Sequence, residues 1–308
     1  MPALGVPCNL FGCQRAVRRR NMHETNVTWQ RAMNGASKGM IIRILTALAL
    51  GCATALPLSA GDSFETPVKG EILSGWQQAD GTRMAALRLT LAPGWKTYWR
   101  APGDAGIPPH FDWSGSKNLR GVGITWPTPE VFLTAGMQTI GYSGVLVLPI
   151  ALAPRQDGEP ITLRADLDIG VCSDICVPHQ MRLSAIISGD NTKPTPSIVA
   201  ALADRPLTAR EAGVRTASCA LSPTADGFEI KATMVLPSTG ATEVVVIEPG
   251  QPNLWIGETK SSRSGKTLVA VGEMISDSGA AIALDRSDIR ITVLGKKHAV
   301  DIQGCTPG

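Results

Sequence analysis

Charge is scarce in this chain and aromatic residues are scarcer: 18% of its 308 residues are Asp, Glu, Lys or Arg, and 5% are Phe, Trp or Tyr. With 44% hydrophobic residues, so little charge excludes disorder as the default state. Only one stretch, near the N-terminus, approaches the length of a membrane span, which excludes a multi-pass protein. There is no Gly-rich phosphate loop, and Trp113-Ser114-Gly115-Ser116 does not fit a nucleophile elbow. Internal repeats and low-complexity tracts are absent. A basic stripe is missing too. The net charge is +3, but seven of the 29 Lys/Arg and one of the 26 Asp/Glu fall in residues 1–60, so residues 61–308 are net −3. Nucleic acid is therefore not an expected partner.

What is present begins with a leader. Residues 41–60 read IIRILTALALGCATALPLSA, with Arg43 before an apolar run that ends in small residues. That is the layout of a secretory signal. Met40 directly precedes it, so residues 1–39 are read as an extension ahead of the true start, 40–60 as a signal peptide cleaved after Ala60. Alternatives are a membrane anchor, which Pro57 argues against, and a lipid-bearing Cys52. Export leaves four cysteines in the mature chain, Cys172, Cys176, Cys219 and Cys305. In an oxidising compartment they imply two disulfides, with three possible connectivities.

Gly 32 and Pro 22 imply many turns. Between them run period-two segments: Leu87, Leu89 and Leu91; Phe228, Ile230, Ala232, Met234 and Leu236; Ile289, Ile291 and Val293. This is the pattern of antiparallel β-sandwiches. Pro196–Asp204 is the one helix candidate, inside a Pro-flanked linker over 191–213. The linker separates a domain at 61–190 from a second at 214–308. Ten of the fourteen aromatics lie between Phe64 and Tyr142, so the first domain has an aromatic core or an aromatic groove.

The most informative segment is Ile161–Gln180. Apolar residues occupy every odd position from Ile161 to Val171, and Thr162, Arg164, Asp166, Asp168 and Gly170 the even ones. Continued in register, this half-buried strand presents Cys172 on its polar face, toward solvent or a covering loop. In an extended strand Cys172 and Cys176 are about 13 Å apart, against roughly 4–7 Å between the Cα atoms of a disulfide. A turn at Ser173-Asp174 must bring them together, and Pro178 is expected to stop regular pairing just afterwards. A bond closing three residues does little for stability, so the pair reads first as a site of thiol–disulfide exchange. A structural staple is a second reading. A soft Cu(I) site made by Cys172, Cys176 and His179, with Met181 nearby, is a third. Asp166, Asp168 and Asp174 form a solvated face or raise the thiol pKa by repulsion. His110 and His298 read as surface residues. Cys219 and Cys305 bracket the second domain and read as its structural disulfide, joining first and last strands.

With these residues in view, the chain resembles the N-terminal periplasmic domain of the DsbD/ScsB family of thiol:disulfide interchange proteins, and most of all its ScsB-like branch, linked to copper tolerance. Pro93-Gly94-Trp95-Lys96-Thr97-Tyr98-Trp99, Ala101-Pro102-Gly103-Asp104, Trp126-Pro127-Thr128-Pro129-Glu130, Ile140-Gly141-Tyr142 and Val171–Pro178 carry the resemblance, which covers about 62–190. It implies an all-β chain of two immunoglobulin-like sandwiches in tandem, with Cys172 and Cys176 as the catalytic pair. By carry-over Cys176 attacks partners; Asp174 and His179, close to the pair in sequence, are read as modulating it. A cap loop around Glu130–Gly136, with Glu130 and Phe132, shields it. The partners implied are a CcdA/DsbD-like membrane reductant and thioredoxin-like periplasmic proteins, and no organic cofactor is needed. Two departures stand out: Cys-x3-Cys is shorter than the spacing of the best-studied members, and the chain lacks the transmembrane segments and thioredoxin domain of full-length ones.

Overall fold

A computed structural model describes residues 66–308, apart from 135, 226, 252 and 277–283. The expected extension at 1–39, the signal-like segment at 40–60 and Cys8, Cys13 and Cys52 lie outside the described residues.

The first ten strands are β1 (Val68–Gln77), β2 (Arg83–Leu91), β3 (Lys96–Tyr98), β4 (His110–Asp112), β5 (Leu119–Ile124), β6 (Glu130–Thr134), β7 (Met137–Ser143), β8 (Val145–Pro154), β9 (Ile161–Cys172) and β10 (Cys176–Ile187). They build an immunoglobulin-like sandwich of two sheets, ordered β1-β2-β8-β5 and β10-β9-β3-β7-β6, with β4 also paired to β9. A short helix, α1 (Pro196–Ala203), follows. The remaining strands are β11 (Leu207–Thr208), β12 (Thr216–Pro223), β13 (Phe228–Val235), β14 (Val244–Glu248), β15 (Leu254–Ile256), β16 (Lys260–Ser264), β17 (Thr267–Ser276), β18 (Arg290–Leu294), β19 (Ala299–Gln303) and β20 (Thr306–Pro307). Their sheets run β11-β19-β18-β14 and β15-β17-β13-β12-β20, with β16 on β17.

Alternation in sequence becomes burial in the sheets. In β9 the odd residues Ile161, Leu163, Ala165, Leu167, Ile169 and Val171 are all buried. Ala165, Leu167, Ile169 and Val171 cluster with Leu87, Leu89, Leu146 and Leu148 of the facing sheet and with Trp99 and Tyr142, while Ile161 and Leu163 pack with Ala85, Ile150, Leu152 and Ile187. Each such aliphatic side chain contributes about 1.5–3 kcal/mol. The aromatic residues serve this core: Trp95, Phe111, Trp113 and Trp126 pack against it, and Trp126 stacks on Tyr142 at 6.4 Å. The second sandwich has its own core, in which Ile230, Ala232, Met234, Ile289, Ile291 and Val293 are buried.

The segment 191–213 is tied down at both ends. Ile198 of α1 is buried against Met84 and Ala86 of β2, while β11 pairs parallel with β19. Cys219 of β12 bonds Cys305, just before β20, with Cα atoms 5.7 Å apart. Linking residues 86 positions apart contributes up to about 4–5 kcal/mol in the loop-entropy view.

Candidate functional site

β9 and β10 form one hairpin, and Cys172 and Cys176 face each other as its last pair. They are bonded, with Cα atoms 4.2 Å apart. The reversal at residues 173–175 is closed by the Ser173 N–H donating to the Ile175 carbonyl at 3.1 Å. The two cysteines differ in exposure. Cys172 is 1% exposed, whereas Cys176 is exposed, between Ile175 at 67% and Val177 at 37%.

The even-numbered residues of β9 do share one face, as the alternation requires, but that face is not open at its end. Tyr98 and Ile107 close over Gly170, and the Tyr98 hydroxyl reaches Cys172, which is buried rather than solvent-facing. A Cβ at Gly170 would lie 2.7 Å from the Ile107 Cβ and 2.9 Å from the Tyr98 ring, so only glycine lets the roof close. Thr97 Oγ1 donates to the Gly170 carbonyl at 2.9 Å, fixing β3 against β9. Tyr98 lies on this face by register, since its neighbour Lys96 pairs with Cys172. Its hydroxyl lies 2.7 Å from Cys172 Sγ and 3.2 Å from Cys176 Sγ. Disulfide sulfurs carry no proton, so the hydroxyl is the donor. Burial raises the Tyr98 pKa, which keeps the hydroxyl protonated.

The expected cap residues share this face through the strand register. Phe132 pairs with Thr139 and Glu130 with Gly141, which in turn pairs with Tyr98. Lys96 joins them to the hairpin tip: its Nζ lies 5.0 Å from the centre of the Phe132 ring and 3.3 Å from Thr139 Oγ1. Glu130 accepts a hydrogen bond from Ser143 Oγ at 2.8 Å. Asp174 is exposed in the turn between the cysteines. Asp166 pairs with Arg182 at 2.6 Å, and Asp168 stands opposite the exposed His110 of β4.

One expectation fails here. Pro178 does not interrupt the ladder: it pairs with Gly170, and the register continues unbroken to Ile187. β10 is an edge strand, where a missing N–H leaves no inner neighbour unsatisfied. The unbroken register also bears on the copper alternative of Cys172, Cys176 and His179. Cys172 and Cys176 are an opposed pair on the outer face, whereas His179, three positions on from Cys176, lies on the opposite face with Met181, which packs against the core. No group of three His, Cys, Asp or Glu side chains is placed to hold a metal among the described residues.

Tyr98, Lys96, Ile107 and Gly170 are the site residues to which the sequence alone assigns no role. Tyr98 and Lys96 stand inside the Pro93–Trp99 motif, which was their only signal; Ile107 carries none.

Residues 69–188 match the family model described as thiol:disulfide interchange protein DsbD, N-terminal. The crystal structure of the N-terminal periplasmic domain of ScsB from Proteus mirabilis is similar to this chain, with a TM-score of 0.61 and 20% identity over 80% of this chain and 96% of that one. At that identity the likeness is one of fold. No curated protein matches the chain.

Proposed function

We propose that this chain, with a DsbD N-terminal domain over residues 69–188, is a periplasmic thiol–disulfide oxidoreductase that relays electrons through Cys172 and Cys176. Its reductant is a CcdA/DsbD-like membrane protein and its acceptors are thioredoxin-like or disulfide-bonded periplasmic proteins. Redox chemistry belongs to the domain at 61–190. The domain at 214–308, beyond the linker 191–213, carries the structural Cys219–Cys305 bond. Entry to the periplasm is by the signal peptide at 40–60.

The observation that supports this reading is the asymmetry of the pair: Cys176 is exposed at a hairpin tip and Cys172 is buried, with one hydroxyl donor within reach of both sulfurs. In the reduced protein the Cys176 thiolate attacks a partner disulfide. A Cys176–partner bond forms, and the partner's other sulfur leaves as a thiolate that takes up a proton. Cys172, deprotonated, then attacks the Cys176 sulfur and expels the second partner thiol. The protein ends as the disulfide and the partner as the dithiol, two electrons and two protons having moved. The membrane reductant restores the dithiol by the same exchange in reverse. Tyr98 supplies a hydrogen bond to whichever sulfur carries charge.

Trapping tests this. Cys172→Ala, with Cys176 kept, accumulates a mixed disulfide with a thioredoxin-like partner, because the resolving thiol is gone. Cys176→Ala traps little, since the buried Cys172 is not reached. Equal trapping by both variants, or by neither, overturns the reading.

A further inference from the structure

The residue after Tyr98 and Trp99 leaves the first sandwich. The guanidinium of Arg100 makes a two-pronged contact with the Glu248 carboxylate of β14, Nε to Oε1 at 3.0 Å and Nη2 to Oε2 at 2.9 Å. It also donates to Thr292 Oγ1 of β18 at 3.3 Å and lies 4.0 Å from the centre of the Trp99 ring. Only 15% and 23% of the two charged side chains is exposed, so the pair is poorly screened by solvent. Trp99 is fully buried in a core that continues into Leu294 and Ala299 of the second sandwich. Further along the same loop, Asp104 Oδ1 accepts the Glu258 N–H at 3.1 Å. On the other side, the Pro102 carbonyl accepts the Ile140 N–H of β7 at 2.9 Å.

This loop, from Trp99 to Ile107, joins the two residues that close over Gly170, two positions before Cys172 on the same face of β9. Tyr98 immediately precedes it and Ile107 ends it. We propose that Arg100 is a positioning residue: anchored by Glu248, it holds the Tyr98–Ile107 roof closed, so that the second sandwich sets access to the Cys172–Cys176 bond. This rests on reading that bond as the redox site. The charge arrangement makes Glu248 the sensitive point. Glu248 pairs across β14 and β18 with Arg290, which in turn binds Asp301 at 2.8 Å. Two cations and two carboxylates balance there. Without the Glu248 carboxylate, Arg100 and Arg290 face each other over one remaining anion, and Arg100 is driven from its seat.

The test uses the full chain and dithiothreitol as the probe. Reduction is quenched by alkylation at intervals, and each disulfide is followed by mass spectrometry, with Cys219–Cys305 as the internal reference. Glu248→Gln and Arg100→Ala are expected to speed reduction of Cys172–Cys176 by about tenfold, leaving the reference rate unchanged. Arg100→Lys, which keeps the charge but loses the fork, falls between them and the unaltered protein. Combining Arg100→Ala with Glu248→Gln adds no further acceleration, because both break one contact. Rates within about twofold of the unaltered protein, or both disulfides accelerating together, overturn the proposal. If the stronger variants do not fold, an unchanged rate in Arg100→Lys overturns it alone. Failure of the redox reading shows elsewhere, as no partner trapped by Cys172→Ala, because these rates involve no partner protein.

Discussion

The hydroxyl of Tyr98 sits within hydrogen-bonding distance of both sulfurs of a disulfide 74 residues away, 2.7 Å from Cys172 and 3.2 Å from Cys176. A single proton donor thus serves the bond before it is broken and either thiolate after it. Replacing Tyr98 by Phe keeps the ring over Gly170 and removes only the donor. The thiolate then loses a hydrogen bond, and the lower of the two thiol pKa values should rise by about one unit. Thiolate absorbance in the ultraviolet, followed against pH in the reduced protein, measures this. An unchanged titration would remove Tyr98 from the chemistry.

Gly170→Ala tests the roof by crowding rather than by chemistry. The new methyl meets the Ile107 Cβ and the Tyr98 ring at under 3 Å, and Tyr98 is held by strand pairing. The variant is expected to lose about 1–3 kcal/mol of stability. It should also expose Cys172, so that a small alkylating agent reaches the reduced thiol faster. A melting temperature and alkylation rate equal to those of the unaltered protein would show that the roof yields freely.

The contrast between Gly170 and His179 shows what could be read without coordinates. Period two along β9 places Cys172 on the even face correctly, because that rule needs only the local chain. It cannot report burial there, since the covering atoms come from Tyr98 and Ile107, more than sixty positions earlier. The same rule, continued from Cys176, puts His179 on the face opposite the cysteine pair. Expecting Pro178 to end the strand hid this, and the expectation failed because edge position is a property of sheet order, not of sequence. Two β-sandwiches were legible in the alternating segments. The Arg100–Glu248 contact was not, as neither residue stands in a pattern that requires a partner.

Acid should weaken the second sandwich through Glu243. Burial pushes its pKa up, but hydrogen bonds from Arg263 and Thr239 outweigh this and hold it below the ordinary 4.5. A carboxylate depressed on folding contributes stability above its unfolded pKa and loses it as pH falls. The loss therefore begins near pH 4.5 and deepens toward the folded value. Glu243→Gln should melt lower at pH 7 and show a shallower fall in melting temperature below pH 4.5. Parallel curves for the two proteins would mean that Glu243 does not carry the acid response.

The two disulfides should differ in reducibility. Cys219 is fully buried and its bond closes the second sandwich, whereas Cys176 is exposed at a hairpin tip. In a glutathione titration, Cys172–Cys176 is expected to open first, while Cys219–Cys305 persists to the potentials of structural bonds, below about −300 mV. Simultaneous opening, or a more resistant Cys172–Cys176, would favour the staple reading of the short pair.

Phe132 and Lys96 bear on what reaches the reduced thiols. The aromatic face holds the Lys96 ammonium at 5.0 Å, and Lys96 is the strand neighbour of Cys172. Such a contact contributes about 0.5–1 kcal/mol where water has access. That is enough to bias the position of the Phe132 ring but not to lock it. With Phe132→Ala the apolar cover goes while the ammonium stays beside the hairpin. Small oxidants then meet a less covered thiolate with its positive neighbour intact. Oxidation of the reduced pair by hydrogen peroxide should accelerate several-fold, about the factor that 1 kcal/mol represents. Lys96→Met removes the charge and keeps the bulk, so it should instead raise the thiol pKa and slow the same reaction at neutral pH. If both variants speed oxidation alike, Lys96 acts only as a support for the Phe132 ring. If neither changes it, the ring does not guard the cysteines.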